Sequence, residues 1–438
     1  MEYSKMKRPL YILLSILSVC MFIACDKDEF DEKVYRETLT RLFPADDVSS
    51  SQDWHTVESG SYKVALDFGD SATYHVKIYT ANPLDAYSDT LLAEQIVKDG
   101  GTASGTLTYA ISSPYVYVAC YNSEGLMAFR KCDIASRAVS TTMTSDLPFY
   151  PSSLVKEVDP IYTFCFEDSY PQPDDFDYND LVLHVKIHRD ISNLRHIRMK
   201  VSLEAVGTSV QMAAVIRLMG IAPSEVDSIV RTSAFLGEKN GDQWQWTGKL
   251  LTQSEVYDSK NYFTGKYDDT KAAILPLFND AHCALSGYIN QIPYNVSLRY
   301  SREYKPTYVI FDLYLKDVDK ATSLINPNNL DVFALYGSGV SAIEIHTYDY
   351  KNDVVLYDRK SLDTGHFTWA LMIPGKFEYP LNGRPITVKE SARTEPDSLG
   401  NVVPVAYPYF PNWAASPGSH TDWYKINDYT VVHRVYDE

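Results

Sequence analysis

Basic residues are scarce in this sequence. Its 438 residues carry 40 lysines and arginines against 57 aspartates and glutamates, a formal net charge of −17. A surface so poor in bases argues against nucleic acid as a partner, because phosphate binding draws on clustered Lys and Arg. Cysteine is scarce too, with six residues and no C-x-x-C pair, which speaks against a zinc knot or a thioredoxin-like redox motif. The sequence has no phosphate loop, no dinucleotide fingerprint and no G-x-S-x-G nucleophile elbow; Gly337-Ser338-Gly339 follows Tyr336 in β-like surroundings. No internal repeat recurs at a fixed period, and helical patterns are few and short. What the chain does have is apolar bulk. Apolar residues make up 45% and aromatics 13%, enough for a large core and too much for a disordered chain.

The only long apolar run lies at the amino terminus. Lys5, Lys7 and Arg8 precede Leu10 to Ile23, a stretch of export-signal length and too short for a comfortable membrane span. It ends Phe22-Ile23-Ala24-Cys25, which resembles a bacterial lipobox with Cys25 as the lipidated residue. Asp26-Lys27-Asp28-Glu29 then resembles the surface-export signal of Bacteroidetes lipoproteins. Residues 1–25 are therefore expected to be a signal peptide. The mature protein is expected to sit on the bacterial outer membrane through its lipid, facing the cell exterior.

The rest reads as mainly β. Residues 26–60 read as a tether with a short helix from Glu32. Over residues 61–140, Tyr62, Val64, Leu66 and Phe68 alternate with polar or small neighbours, as do Tyr74, Val76 and Ile78. Period-two burial of this kind makes half-buried strands. About seven short strands here predict a β-sandwich of immunoglobulin-like size. Residues 141–159 read as a linker, and 160–438 as a larger β-rich domain. Helices are expected at Pro223 to Val230, from Glu255 and at Lys320 to Leu324. His184, Lys186 and His188 share one strand face, read as a polar solvent face. Cys120 and Cys165, inside apolar runs, read as buried free thiols.

The densest chemistry is acidic. Phe166-Glu167-Asp168 is followed by Asp174-Asp175-Phe176-Asp177-Tyr178-Asn179-Asp180. Asp175, Asp177 and Asn179 are two apart, so in a loop they can aim three oxygen-bearing side chains at one centre, with Glu167, Asp168 and Asp180 completing a shell. Oxygen donors in that number suit calcium, and carboxylates so crowded repel unless a cation neutralises them. The loop is not an EF-hand: Asp180 stands where glycine is required and Lys186 where glutamate is required. The alternative is an acidic turn capped by its own backbone. Crowding in one loop disfavours the separated carboxyl pair of glycoside hydrolysis.

Asp175-Phe-Asp-Tyr-Asn-Asp-Leu-Val, with Phe166-Glu-Asp upstream, resembles the signature of the LruC-domain family of bacterial lipoproteins and secreted proteins. Glu344-Ile345-His346, Trp369-Ala370-Leu371 with Ile373-Pro374, and Ala406-Tyr407-Pro408 with Phe410, Trp413 and Asp422-Trp423-Tyr424 follow in the family's order. Thr368 departs from it where proline is usual. The resemblance covers about 160–438. It implies a cell-envelope β-protein without an established activity. His346, its matched histidine, is a candidate ligand or a core hydrogen-bonder. Trp413, Trp423 and Tyr424 belong to an aromatic tail that could stack on sugars or pack on a sheet. The reading is a surface lipoprotein with one structural calcium, acting as a binding or structural module. Its partners would be a glycan, matrix or another envelope protein, and no catalytic residue is assigned. The alternatives are a carbohydrate-active hydrolase and a pilus or stalk component.

Overall fold

A computed structural model describes residues 32–85, 89–170, 172–237, 272–288, 290–297, 303–336, 343–347, 367–389 and 404–433. The export segment with Cys25, the helix expected from Glu255 and Gly337-Ser338-Gly339 lie outside them. The expected helix at Glu32 forms as Glu32–Leu42, with Leu39 buried. From Leu42 onward the chain is one compact unit, and it is mainly β as expected, with only short helices among the described residues.

Nine strands come first: β1 (Val57–Asp67), β2 (Thr73–Tyr79), β3 (Asp89–Lys98), β4 (Thr102–Ala110), β5 (Tyr115–Tyr121), β6 (Leu126–Asp133), β7 (Ala138–Thr144), β8 (Phe149–Pro151) and β9 (Glu157–Val158). They build a three-stranded sheet, β4-β1-β7, and a six-stranded sheet, β8-β6-β5-β2-β3-β9. The alternation seen in sequence is the reason. On β1, Tyr62, Val64 and Leu66 are buried while Ser61, Lys63 and Asp67 are exposed. These side chains meet Tyr74, Val76 and Ile78 of β2 and Val116, Val118 and Cys120 of β5 in one core between the sheets, a β-sandwich. Each such side chain contributes roughly 1.5–3 kcal/mol through burial. The Asn122–Gly125 turn forms as the sequence signals. The Asn122 side chain accepts from the backbone of Glu124 and Leu126, and Gly125 takes φ +76°, which glycine adopts without strain.

Ten more strands follow: β10 (Ile161–Phe166), β11 (Leu181–Arg189), β12 (His196–Ala205), β13 (Met212–Leu218), β14 (Val226–Ser233), β15 (Ala273–Phe278), β16 (Thr307–Leu315), β17 (Leu330–Tyr336), β18 (Ile343–His346) and β19 (Ala370–Pro374). One sheet runs β14-β16-β12-β11-β10-β19 and the other β15-β13-β17-β18. Every position of β13 and β15 is buried, so these strands read as near-continuous apolar runs, interrupted in β13 by the buried Arg217. The helix expected at Pro223 to Val230 does not form. A single 3₁₀ turn, Pro223–Glu225, is closed by the Glu225 carboxylate on the Ala222 N–H at 2.8 Å, and β14 then pairs antiparallel with β16. Val226, Ile229 and Val230 are β-branched, and that preference with the available edge of β16 outweighs the helix-start signal. The expectation at Lys320 is met by the helix Val318–Ser323, capped by Asp317.

Residues 43–56, between the first helix and β1, are packed. Phe43 and Trp54 are buried, and Trp54 stacks on Phe410 at 5.9 Å and meets Trp413 edge-on at 5.4 Å. The Gln52 side chain donates to the Trp413 carbonyl at 2.9 Å, and the Thr56 hydroxyl to the Met372 carbonyl at 2.5 Å. Cys120, Cys132, Cys165 and Cys283 are all buried free thiols. Burial pushes the Cys120 thiol up to about 12 and that of Cys165 well above its ordinary value.

Candidate functional site

The acidic loop joins β10 to β11. Its first acid is fixed by the sheet: the Glu167 N–H donates to the Trp369 carbonyl at 2.9 Å, just before β19. Its second half is fixed by aromatics. Phe176 and Tyr178 bury their rings, and both take positive φ, +50° and +52°. For bulky residues this backbone state costs about 1–2 kcal/mol each, so surrounding contacts must hold it. The Tyr178 hydroxyl donates to the Thr368 carbonyl at 3.0 Å, and the Tyr178 N–H donates to Glu167 Oε1. Of the acids between these anchors, Asp177 is thereby turned inward, while Asp174 stays exposed and Asp168 and Asp175 are partly buried.

Three of the six predicted ligands converge. Carboxylate oxygens of Glu167, Asp175 and Asp177 lie within 4.8 Å of one another. Glu167 and Asp177 are buried. Asp177 accepts from the Asn179 N–H at 3.1 Å and the Gly383 N–H at 2.9 Å. The other three support the trio. Asp180 Oδ2 accepts from the Asp168 N–H at 2.7 Å, and Asp168 accepts from the Thr208 hydroxyl. Asn179 is turned to the chain, donating to the Pro380 carbonyl at 2.9 Å. Its Oδ1 packs on Gly207, where a Cβ would lie 1.8 Å from it, so this close approach requires glycine. Gly207, Thr208, Pro380 and Gly383 carry no local sequence signal; only the fold brings them to the loop.

The electrostatics are those of uncompensated anions. Burial first, then the charges of Asp180, Asp177 and Asp175, raise the Glu167 carboxyl well above its usual range. Burial and neighbouring carboxylates also raise Asp177 and Asp180 strongly, and Asp168 and Asp175 less so. No lysine or arginine ion pair balances them among the described residues. Glu167 Oε2 is buried without any hydrogen-bond partner. A partnerless buried carboxylate oxygen costs about 1–3 kcal/mol or more, and a hard cation among these oxygens would satisfy it. The donor set fits such an ion.

The remaining sequence candidates lie elsewhere. His346 on β18 is buried, with Nδ1 2.8 Å from Asp331 and Nε2 3.3 Å from Glu344. Arg217 joins the same network, its Nε 3.1 Å from Asp331. Burial disfavours the imidazolium, but the charge and hydrogen bond of Asp331, then Glu344, push His346 up to about 9. Both its nitrogens are engaged by carboxylates, the arrangement of a core hydrogen-bonder. Trp413 and Trp423 are fully buried and stack at 5.4 Å, and the Tyr424 hydroxyl lies 3.0 Å from that of Ser112. These rings pack inward. The solvent face expected for His184, Lys186 and His188 needs correction at His184, whereas His188 is exposed and Lys186 partly so. His184 is buried 3.1 Å from Glu204 of β12, while Lys186 and His188 pair with Asp159. A carboxylate on the neighbouring strand lets the first histidine stay inside.

No curated protein matches this sequence. Among solved structures, a Bacteroides ovatus protein described as a "putative lipoprotein" aligns at 14% identity and a TM-score of 0.49, over 84% of this chain and 100% of that one. The profile of a domain of unknown function, DUF4842, matches residues 192–424, which begins just after the acidic loop and its following strand. That match spans more than half of the sequence, and the chain therefore belongs to the DUF4842 family.

Proposed function

We propose that the 167–180 loop binds one calcium ion and that the ion is structural. Glu167, Asp175 and Asp177 would hold it, Asp180 would add charge, and Asp168 and Asn179 would brace the loop. The observation that carries this reading is the buried, partnerless Oε2 of Glu167, one of the three clustered acids. Oxygens this close suit one ion better than the acid/base pair of a glycosidase, whose carboxyls stand about 5–9.5 Å apart. In this reading the protein is lipidated at Cys25, faces outward from the outer membrane, and serves as a binding or structural module toward a glycan, matrix or envelope protein. The amino-terminal pattern and the LruC-like motifs support that setting. Calorimetric titration of the chelator-treated protein with calcium tests the site. One saturable site with a rise in melting temperature is expected; no heat and no shift would reduce the loop to an acidic turn.

A further inference from the structure

We infer that the acidic loop is a clamp for the carboxy-terminal part of the chain: a bound cation locks residues 377–389 and 404–433 in place, and its removal loosens them. This rests on the calcium reading. The inference comes from where the loop's hydrogen bonds go. Asp177, a member of the carboxylate trio, accepts from the Gly383 N–H at 2.9 Å. Asn179 donates to the Pro380 carbonyl at 2.9 Å. The Phe176 carbonyl accepts from Ile386 at 2.8 Å, and the Ile386 carbonyl accepts in turn from Tyr407 at 2.7 Å. Leu381 donates to the Val431 carbonyl at 3.0 Å. Three of the four loop residues 176–179 thus hold the 380–386 stretch, which itself holds the start and the end of the 404–433 segment.

What the clamp secures is mostly aromatic. Tyr407, Phe410, Trp413 and Trp423 are fully buried, and Phe410, Trp413 and Trp423 touch one another. The loop is a poor anchor by its own means. Its acids repel, one buried oxygen has no partner, and two large aromatics sit at positive φ. A cation removes the repulsion and fixes Asp177, and through it Gly383. Without the cation, relaxation of Asp177 and its neighbours breaks the three bonds to 380–386 together, because they all come from the four-residue stretch 176–179.

The test is hydrogen–deuterium exchange on the full chain, chelator-treated and then supplied with calcium or with EGTA, with calorimetry on the same samples. Calcium is expected to slow exchange in peptides from 377–389 and 404–433 by tenfold or more and to leave β1 to β7 unchanged. Asp175→Asn, at a ligand that makes no bond to the carboxy-terminal segment, is expected to abolish the difference. Saturable calcium binding with identical exchange in both states would overturn the clamp and leave the calcium reading standing. Absence of calcium binding would remove both.

Discussion

Between Asp331 and Glu344, His346 keeps a proton that burial alone would strip away. Its folded value of about 9 lies above the ordinary histidine value near 6.5. The stability it contributes is therefore fully present below about pH 6.5 and lost as pH rises through about 9. A shift of that size corresponds to roughly 3 kcal/mol across the window. Thermal melts should show a downward slope from pH 6.5 to 9 that His346→Gln flattens; an unchanged slope would place the titration elsewhere. At the acidic loop, Glu167→Gln removes one buried charge. In EGTA the variant should melt higher than the parent, by about 1–3 kcal/mol from relieved repulsion. With calcium, scanning calorimetry should show a smaller ion-induced shift. At this scale the two-residue spacing made Asp175 and Asp177 legible as a converging pair, and Glu167 joined them. Asn179 shares the spacing but turns away, because its amide finds the Pro380 carbonyl, a partner contributed by a segment remote in sequence.

Strands were legible wherever one face is wet. The period-two pattern matches the burial over Ser61–Asp67 of β1 and Thr73–Ile78 of β2. Where the signal was local and the answer was tertiary, it misled. Pro223 followed by acids reads as a helix start, yet the β-branched residues after it complete an edge beside β16. Contacts between segments remote in sequence left no local trace. Gly207, just past β12, receives the Asn179 side chain so closely that any Cβ collides with it and with the Asn179 carbonyl, 2.7 Å away. Since one contact is backbone, the clash cannot be relieved by a rotamer change. Gly207→Ala should cost about 1–3 kcal/mol or more in urea unfolding, well above an ordinary surface Gly→Ala change.

Across the whole unit from Leu42 onward, the polar look of residues 43–56 concealed their packing. Phe43 contacts Phe176 of the acidic loop at 5.1 Å and Trp54 at 6.0 Å, and is fully buried. Phe43→Ala should lose about 3–5 kcal/mol, and it should weaken calcium affinity as well, because Phe176 backs the loop. A variant with normal stability would show that this ring is not part of the core. The same unit holds Cys120 between the sandwich sheets and Cys165 inside β10, next to the loop. Both thiols are sealed from solvent and far from their reactive thiolate form at neutral pH. A maleimide should therefore ignore them in the closed protein and tag each only when its own neighbourhood breathes, so these two of the four buried thiols act as resident stopwatches, one in the sandwich and one beside the loop, that time local opening without an engineered label.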